Sequence, residues 1–194
     1  LALAGLGLAL IVLFVFLERR ARNPILDPAL FKDKVFSSAM GALVLHFVAA
    51  PPYMLIVPFY LMLGLQMRAS DAGLLMAATS ATTLVFGPVS GWLSDRFGPV
   101  GFAAIGAASA TLSFVCMLGF DLESSAVTVA AVFVLLGVGA GTLQPANNSI
   151  IMSAVTREHL GTASALIATQ RQVGIAVGMA MTGTLFSAWR DGYQ

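Results

Sequence analysis

Long apolar stretches without a charged side chain alternate along the chain with short charged connections. Between Lys34 and Arg68 lie 33 residues without Asp, Glu, Lys or Arg, and three later runs of this kind contain 23, 24 and 33 residues. About 20 helical residues cross a hydrocarbon core, so each run is long enough to span a membrane. The runs lack strict alternation, and lipid requires that backbone groups be satisfied within their own segment, which favours helices. The pattern predicts an all-α integral membrane fold.

We predict about six transmembrane helices. Residues 1–17 form a further apolar run, and so do residues 159–189, which are interrupted only by Arg171. The predicted helices lie near 1–17, 36–63, 72–93, 99–120, 126–152 and 161–187. Residues 1–17 have no starting Met, basic segment or cleavage pattern, so we interpret them as the end of a preceding helix in a longer protein. We interpret 18–35 as a linker and 36–194 as a partial helical bundle.

The cations are shared unequally between the two sides that this helix order defines. Loops 18–35, 94–98 and 153–160 fall on one side and hold seven of the ten Lys and Arg residues, whereas the other side holds two. Because an excess of Lys and Arg marks the cytoplasmic side, we expect these three loops to be cytoplasmic. The seven cations are Arg19, Arg20, Arg22, Lys32, Lys34, Arg96 and Arg157.

Composition excludes several classes of protein. Hydrophobic residues make up 58% of the chain and charged residues 10%, against about a quarter charged in a soluble domain. A net charge of +1 gives no basic field for nucleic acid, and a single cysteine, Cys116, forms no disulfide framework. No nucleophile with a base, paired carboxylates or metal-ligand cluster is apparent. We therefore expect no enzyme, no metal, no cofactor and no nucleic-acid partner.

The sequence GWLSDRFG places Gly91, Asp95, Arg96 and Gly98 in a short connection between two predicted helices. One interpretation is a tight turn that only sets topology, in which Asp95 accepts backbone N–H groups and the glycines allow close helix approach. The other is a functional loop. The residues alone leave both open.

A second polar cluster lies within the span near 126–152, in GVGAGTLQPANNSIIM. Gln144 stands three and four positions before Asn147 and Asn148, so the three amides share a helical face, and Pro145 frees a backbone carbonyl. The glycines before them lack the nucleotide-binding spacing, and we expect them to permit close helix contact. The amides either join helices by hydrogen bonds or line a cavity.

Two ionisable residues lie deep in predicted spans. Arg171 is eleven residues past Leu160, about 16 Å along a helix, which is too deep for its side chain to reach the interface easily. It either forms hydrogen bonds to carbonyls of neighbouring helices or contacts an anionic group. Gly174 and Gly178 lie on the same helical face as Arg171, where a neighbouring helix could approach closely. His46 is either a hydrogen-bonded core residue or a proton relay.

Four segments resemble one family: FLERRARNPILDPALF, FGPVSGWLSDRFG, GVGAGTLQPANNSIIM and TREHLGTASALIATQRQVGIAVGMA. Together they resemble the fourteen-span drug:proton antiporter branch of the major facilitator superfamily, over essentially the whole chain. In GWLSDRFG the family's basic continuation is replaced by Pro99, Val100 and Gly101, as in the degenerate copy of the C-terminal half. The chain would be most of that half, without its last helix.

The resemblance implies a transporter of the plasma membrane that works by alternating access, with small-molecule export driven by protons. It implies that Gly91, Asp95, Arg96 and Gly98 close a cytoplasmic gate against the missing N-terminal half, and that Gln144, Asn147, Asn148 and Arg171 face the cavity, to which we add His46. The proton-coupling acids would lie mostly in that missing half. The alternatives are an exporter of one dedicated metabolite, such as an antibiotic, siderophore or lipid-like compound, and a membrane receptor or scaffold that transports nothing.

Overall fold

The computed structural model describes residues 32–191, which form five long α-helices and no β-strand. The helices are α1 (Lys34–Phe59), α2 (Ala69–Phe97), α3 (Pro99–Met117), α4 (Ala126–Ser153) and α5 (Leu160–Asp191). Helices α1 to α4 are long and apolar enough to cross a membrane, and α5 has 32 residues. The all-α class is confirmed. The predicted helix at 1–17 and most of the predicted linker at 18–35 lie outside the described residues.

Helix α1 continues through three prolines. Its start is fixed by Asp33, whose carboxylate accepts the backbone N–H of Val35 at 2.7 Å and of Phe36 at 3.2 Å. Pro51, Pro52 and Pro58 all lie inside the helix, which ends in a π-helical turn, Tyr60–Gly64. Each proline removes one intrahelical hydrogen bond, so the carbonyls one turn earlier are left for other partners.

The predicted loop at 94–98 is helical up to Phe97, and the interpretation in which Asp95 caps this turn is wrong. Helix α2 runs to Phe97, the Gly98 N–H donates to the Ser94 carbonyl at 2.9 Å, and α3 begins at Pro99. Gly98 has φ +94°, which L side chains rarely adopt, and proline suits the first turn of a helix. One glycine therefore separates the two helices, and Asp95, exposed on the last turn of α2, caps no backbone N–H among the described residues.

Helix α4 is the centre of the bundle and packs against α1, α2 and α3. Its glycines lie against two different helices. A Cβ atom at Gly137 would lie 2.6 Å from the Thr79 carbonyl oxygen of α2, and one at Gly139 would lie 2.6 Å from the Ala110 nitrogen of α3. Real Cβ atoms do not tolerate these distances, so the expectation that these glycines permit close helix contact is confirmed.

Three hydroxyl groups of α2 join it to α4. The Thr79, Thr83 and Ser90 hydroxyls donate to the carbonyls of Phe133 at 3.1 Å, Gly137 at 3.2 Å and Gly141 at 2.7 Å, respectively. We call these three bonds the hydroxyl ladder. The last one has a specific cause, because Pro145 has no N–H to donate to the carbonyl of Gly141, four residues earlier. Ser90 supplies the missing donor.

Replacing Ser90 by alanine is expected to leave the Gly141 carbonyl without a donor inside the membrane. A buried acceptor without a partner costs about 1–3 kcal/mol of stability. We expect a lower melting temperature of the purified protein. The decrease should be smaller when Pro145 is also replaced by alanine, since that second change restores a backbone N–H that can donate to the Gly141 carbonyl. Equal decreases in both backgrounds would contradict the pairing of Ser90 with Pro145.

Helix α5 packs mainly against α1. Gly174 lies against the Phe47 side chain and the Val44 carbonyl, and Gly178 lies against the Val48 carbonyl, which Pro52 leaves without its intrahelical donor. Buried apolar side chains form two clusters, and α4 contributes to both. One contains Phe36, Ala39, Met40, Leu43, Phe47, Ile150, Ile151 and Ala163; the other contains Leu61, Ala72, Val129 and Phe133.

Candidate functional site

The three predicted amides of α4 occupy different environments. Asn147 is 1% exposed, whereas Gln144 and Asn148 are half-buried. Among residues 32–191, the Asn147 Nδ2 and Asn148 Oδ1 atoms are buried without a hydrogen-bond partner. Most buried polar atoms in proteins are paired, so two unpaired amide atoms on consecutive residues of an apolar helix are unusual. Neither of these two atoms therefore forms an interhelical hydrogen bond within the described residues.

Gln170 on α5 is a candidate site residue that the sequence analysis did not select. Its side chain is 7% exposed, and its Nε2 donates to the Met40 carbonyl of α1 at 2.7 Å. Its Oε1 is buried and has no partner among the described residues. The available signal was the spacing of Gln170, Gly174 and Gly178 at four residues, which places one polar and two small side chains on the face that packs against α1.

Arg171 lies beside this packed face. Its side chain is exposed, and it forms no hydrogen bond or ion pair within the described part of the chain. Gly174 and Gly178, which the sequence placed on the face of Arg171, are buried against α1. Arg171 is thus at the edge of the α1 contact and is exposed.

His46 lies on another side of the bundle. It is half-buried, contacts Phe47 edge to face with 5.4 Å between ring centroids, and lines an apolar cavity of about 1450 Å³ between α1, α3 and α5. The other polar side chains that line this cavity are Tyr60, Thr111 and Thr182. Gln144, Asn147, Asn148 and Arg171 are not among its lining residues, so the structure does not bring His46 to the amides.

The residues of GWLSDRFG separate onto two faces of α2. Ser94 is buried, as is Ser90 just before this segment, and Gly91 lies against Pro145 of α4, where a Cβ atom would be 3.9 Å away. Asp95 and Arg96 are exposed. Small residues thus face the bundle, and the charged pair faces away from it.

Arg96 packs on aromatic rings rather than on an acid. Its guanidinium carbon lies 5.8 Å from the ring centroid of Trp92 and 5.8 Å from that of Phe97. A cation over an aromatic face is favourable and keeps the guanidinium beside α2. Among the described side chains, the carboxylate of Asp95 has no cationic partner and is available to one from outside residues 32–191.

Two tyrosines hold α1 at the opposite end of the bundle. The Tyr53 hydroxyl lies 2.9 Å from that of Thr79, and its ring packs edge to face on Phe133. The Tyr60 hydroxyl donates to the Asp121 carbonyl at 2.6 Å, and its ring stacks on Phe120. Sequence reasoning did not find these contacts, because nothing in the sequence indicates which helices are neighbours.

A model of the Major Facilitator Superfamily matches residues 1–179. Multidrug resistance protein Stp of Mycobacterium tuberculosis (strain ATCC 25618 / H37Rv) is 29% identical over 186 residues, which cover 96% of this chain and 34% of Stp. Multidrug efflux pump LfrA of Mycolicibacterium smegmatis is 28% identical over 185 residues, 95% of this chain and 37% of LfrA. The tetracenomycin C resistance and export protein of Streptomyces glaucescens is 28% identical over 175 residues, 90% of this chain and 32% of that protein.

The match to the superfamily agrees with the apolar helices of the fold. The chain spans about a third of the length of these relatives. Four apolar helices of membrane-spanning length in the described part of the chain, together with the similarity to efflux proteins, make it part of a multi-pass plasma-membrane protein. With the family model covering nearly all of its length, the chain belongs to the major facilitator superfamily.

Proposed function

We propose that the chain is most of the C-terminal half of a secondary transporter, which exports amphipathic small molecules or drugs in exchange for protons by alternating access. The observation that carries this proposal is Arg171. An arginine deep in a membrane helix is costly unless it faces protein or water, and this one is exposed and unpaired within the described residues. An aqueous cavity between two halves of a transporter is the environment that such a side chain requires.

The amides of α4 support the same proposal. Gln144 and Asn148 are half-buried on a helix that is otherwise apolar, and the Asn148 Oδ1 atom is unpaired among the described residues. In a transporter, polar groups of this kind meet the substrate near the middle of the membrane. The substrate site would be completed by helices of the N-terminal half.

The charged pair of α2 suits a contact between the two halves. Asp95 and Arg96 lie on the exposed side of the last turn, whereas Ser94 on the same turn is fully buried. In the proposed orientation, the segments 18–35, 94–98 and 153–160 are cytoplasmic. Gly91, Asp95, Arg96 and Gly98 then form the part of the cytoplasmic gate that this half contributes.

The experiment that tests the proposed function is dye efflux from cells that express the complete parent protein. We expect these cells to export ethidium faster than cells with the vector alone, and a protonophore that dissipates the proton gradient to abolish the difference. Unchanged export with the protonophore would contradict proton coupling. No export by a well-expressed protein would contradict the proposed export of lipophilic cations.

A second candidate is an exporter of one dedicated metabolite. It is favoured by the similarity to the Streptomyces protein, whose name refers to one compound, tetracenomycin C. This candidate predicts resistance to one compound and none to structurally unrelated dyes. The same efflux assay therefore separates the two candidates.

A further inference from the structure

Three buried amide atoms on α4 and α5 have no hydrogen-bond partner among the described residues. They are Nδ2 of Asn147, Oδ1 of Asn148 and Oε1 of Gln170. Asn147 lies one turn from Ile150 and Ile151, and Gln170 bonds the Met40 carbonyl; Ile150, Ile151 and Met40 belong to the same cluster. We call Asn147, Asn148 and Gln170 the amide set.

Asn147 and Gln170 both lie in the parts of α4 and α5 that are nearer the connection between these two helices. Asn147 is six residues before the end of α4 at Ser153, and Gln170 is ten residues after the start of α5 at Leu160. At 1.5 Å per residue, Asn147 lies about 9 Å and Gln170 about 15 Å from the same end of the bundle. Water from that end does not reach the unpaired atoms in this conformation, because each has almost no accessible surface.

The packing of the helices shows where the amide set can become accessible. Helices α2 and α3 are tied to α4 through the hydroxyl ladder and the glycine contacts, and α5 is tied to α1 through Gly174, Gly178 and Gln170. Helices α4 and α5 touch each other much less than either touches those partners. Separation of the α1–α5 pair from α4 would open the bundle beside the α4 amides, and it would break the contacts between α1 and α4 in the core cluster.

We infer that the amide set is the hydrogen-bonding part of the substrate site and selects compounds that carry N–H or O–H groups. This inference rests on the proposed export function. The unpaired atoms comprise two acceptor oxygens and one donor nitrogen, all uncharged. They match a compound with amino or hydroxyl donors and an acceptor. A compound without such groups would leave the amides unpaired and gain nothing from them.

The test uses two lipophilic cations that differ in hydrogen-bonding groups. Ethidium carries two aromatic amino groups, whereas tetraphenylphosphonium carries no donor or acceptor. In the complete parent protein, Gln170→Met and Asn148→Ala are expected to slow ethidium export about tenfold and to change tetraphenylphosphonium export less than about twofold. Gln172→Leu is the matched control, because Gln172 is exposed on the same helix and is expected to leave both rates unchanged.

The outcomes separate failure of this inference from failure of the proposed function. If the unmodified parent exports both dyes and each variant loses both in parallel at normal abundance, or loses neither, the amide set does not select hydrogen-bonding groups. If the unmodified parent exports neither dye, the proposed export of lipophilic cations is wrong and the inference falls with it. Should Gln170→Met lower the amount of folded protein, Asn148→Ala decides alone, since Asn148 is only half-buried.

Discussion

Replacing Gly178 by leucine is expected to prevent α5 from packing against α1. A Cβ atom at Gly178 would overlap the Val48 carbonyl oxygen and would lie 3.0 Å from the Pro51 side chain. Backbone cannot move aside as a flexible side chain can, so we expect a loss above about 3 kcal/mol, at or beyond the upper end of typical overpacking. In detergent, the melting temperature should fall by about 10 °C, or the folded protein should disappear.

Gly183→Leu is the matched control for this prediction. Gly183 lies on the same helix, and a Cβ atom there would have no neighbour within 4 Å. The two variants add the same side chain and lose the same conformational freedom of glycine. Similar melting temperatures for both would contradict the close contact between Gly178 and α1.

Replacing Arg171 by alanine is expected to reduce export at least about tenfold without loss of folded protein. The charge costs about 2.5–3.5 kcal/mol in a membrane helix on insertion scales, and no described residue pairs with it. Its removal should therefore leave the amount of folded protein unchanged or increase it. Efflux rate and the amount of folded protein, measured on the same cells, test both parts.

Gln172→Ala is the control for this variant, because Gln172 is also exposed on α5 and carries no charge. A structural arginine that bonds carbonyls of other helices would give the opposite result for Arg171→Ala. Its loss would leave those carbonyls unpaired and lower the amount of folded protein. Loss of folded protein with normal export per molecule would therefore contradict a cavity role for Arg171.

The existence of the helices could be predicted from the sequence, because an uninterrupted apolar run in lipid has few structures open to it. The residues at which the helices end could be predicted less well. The charges of Asp95 and Arg96 indicated a loop, yet α2 continues to Phe97, since a charged pair at the membrane surface does not stop a helix. Gly98, which has a positive φ, ends the helix.

The residues of the candidate site could also be predicted only in part from the sequence. The sequence analysis selected Arg171 because it is charged. The polar side chain that packs in the bundle is that of its neighbour Gln170, because Gln170 lies on the same helix face as Gly174 and Gly178. The separation of His46 from the amides of α4 depends on which helices are neighbours. One sequence holds no information on that order, so only the structure reveals it.

The hydroxyl ladder has a consequence for the way the chain enters the membrane. Thr83 lies 2.9 Å from the Thr79 carbonyl of its own helix as well as 3.2 Å from Gly137, and Ser90 lies 3.1 Å from its own Gly87 carbonyl as well as 2.7 Å from Gly141. Helix α2 can therefore insert into lipid before α4 is synthesised, with these two hydroxyls satisfied locally. When α4 arrives, the same two hydroxyls are already in position to recruit it, and the Gly141 carbonyl released by Pro145 gains its donor at that step.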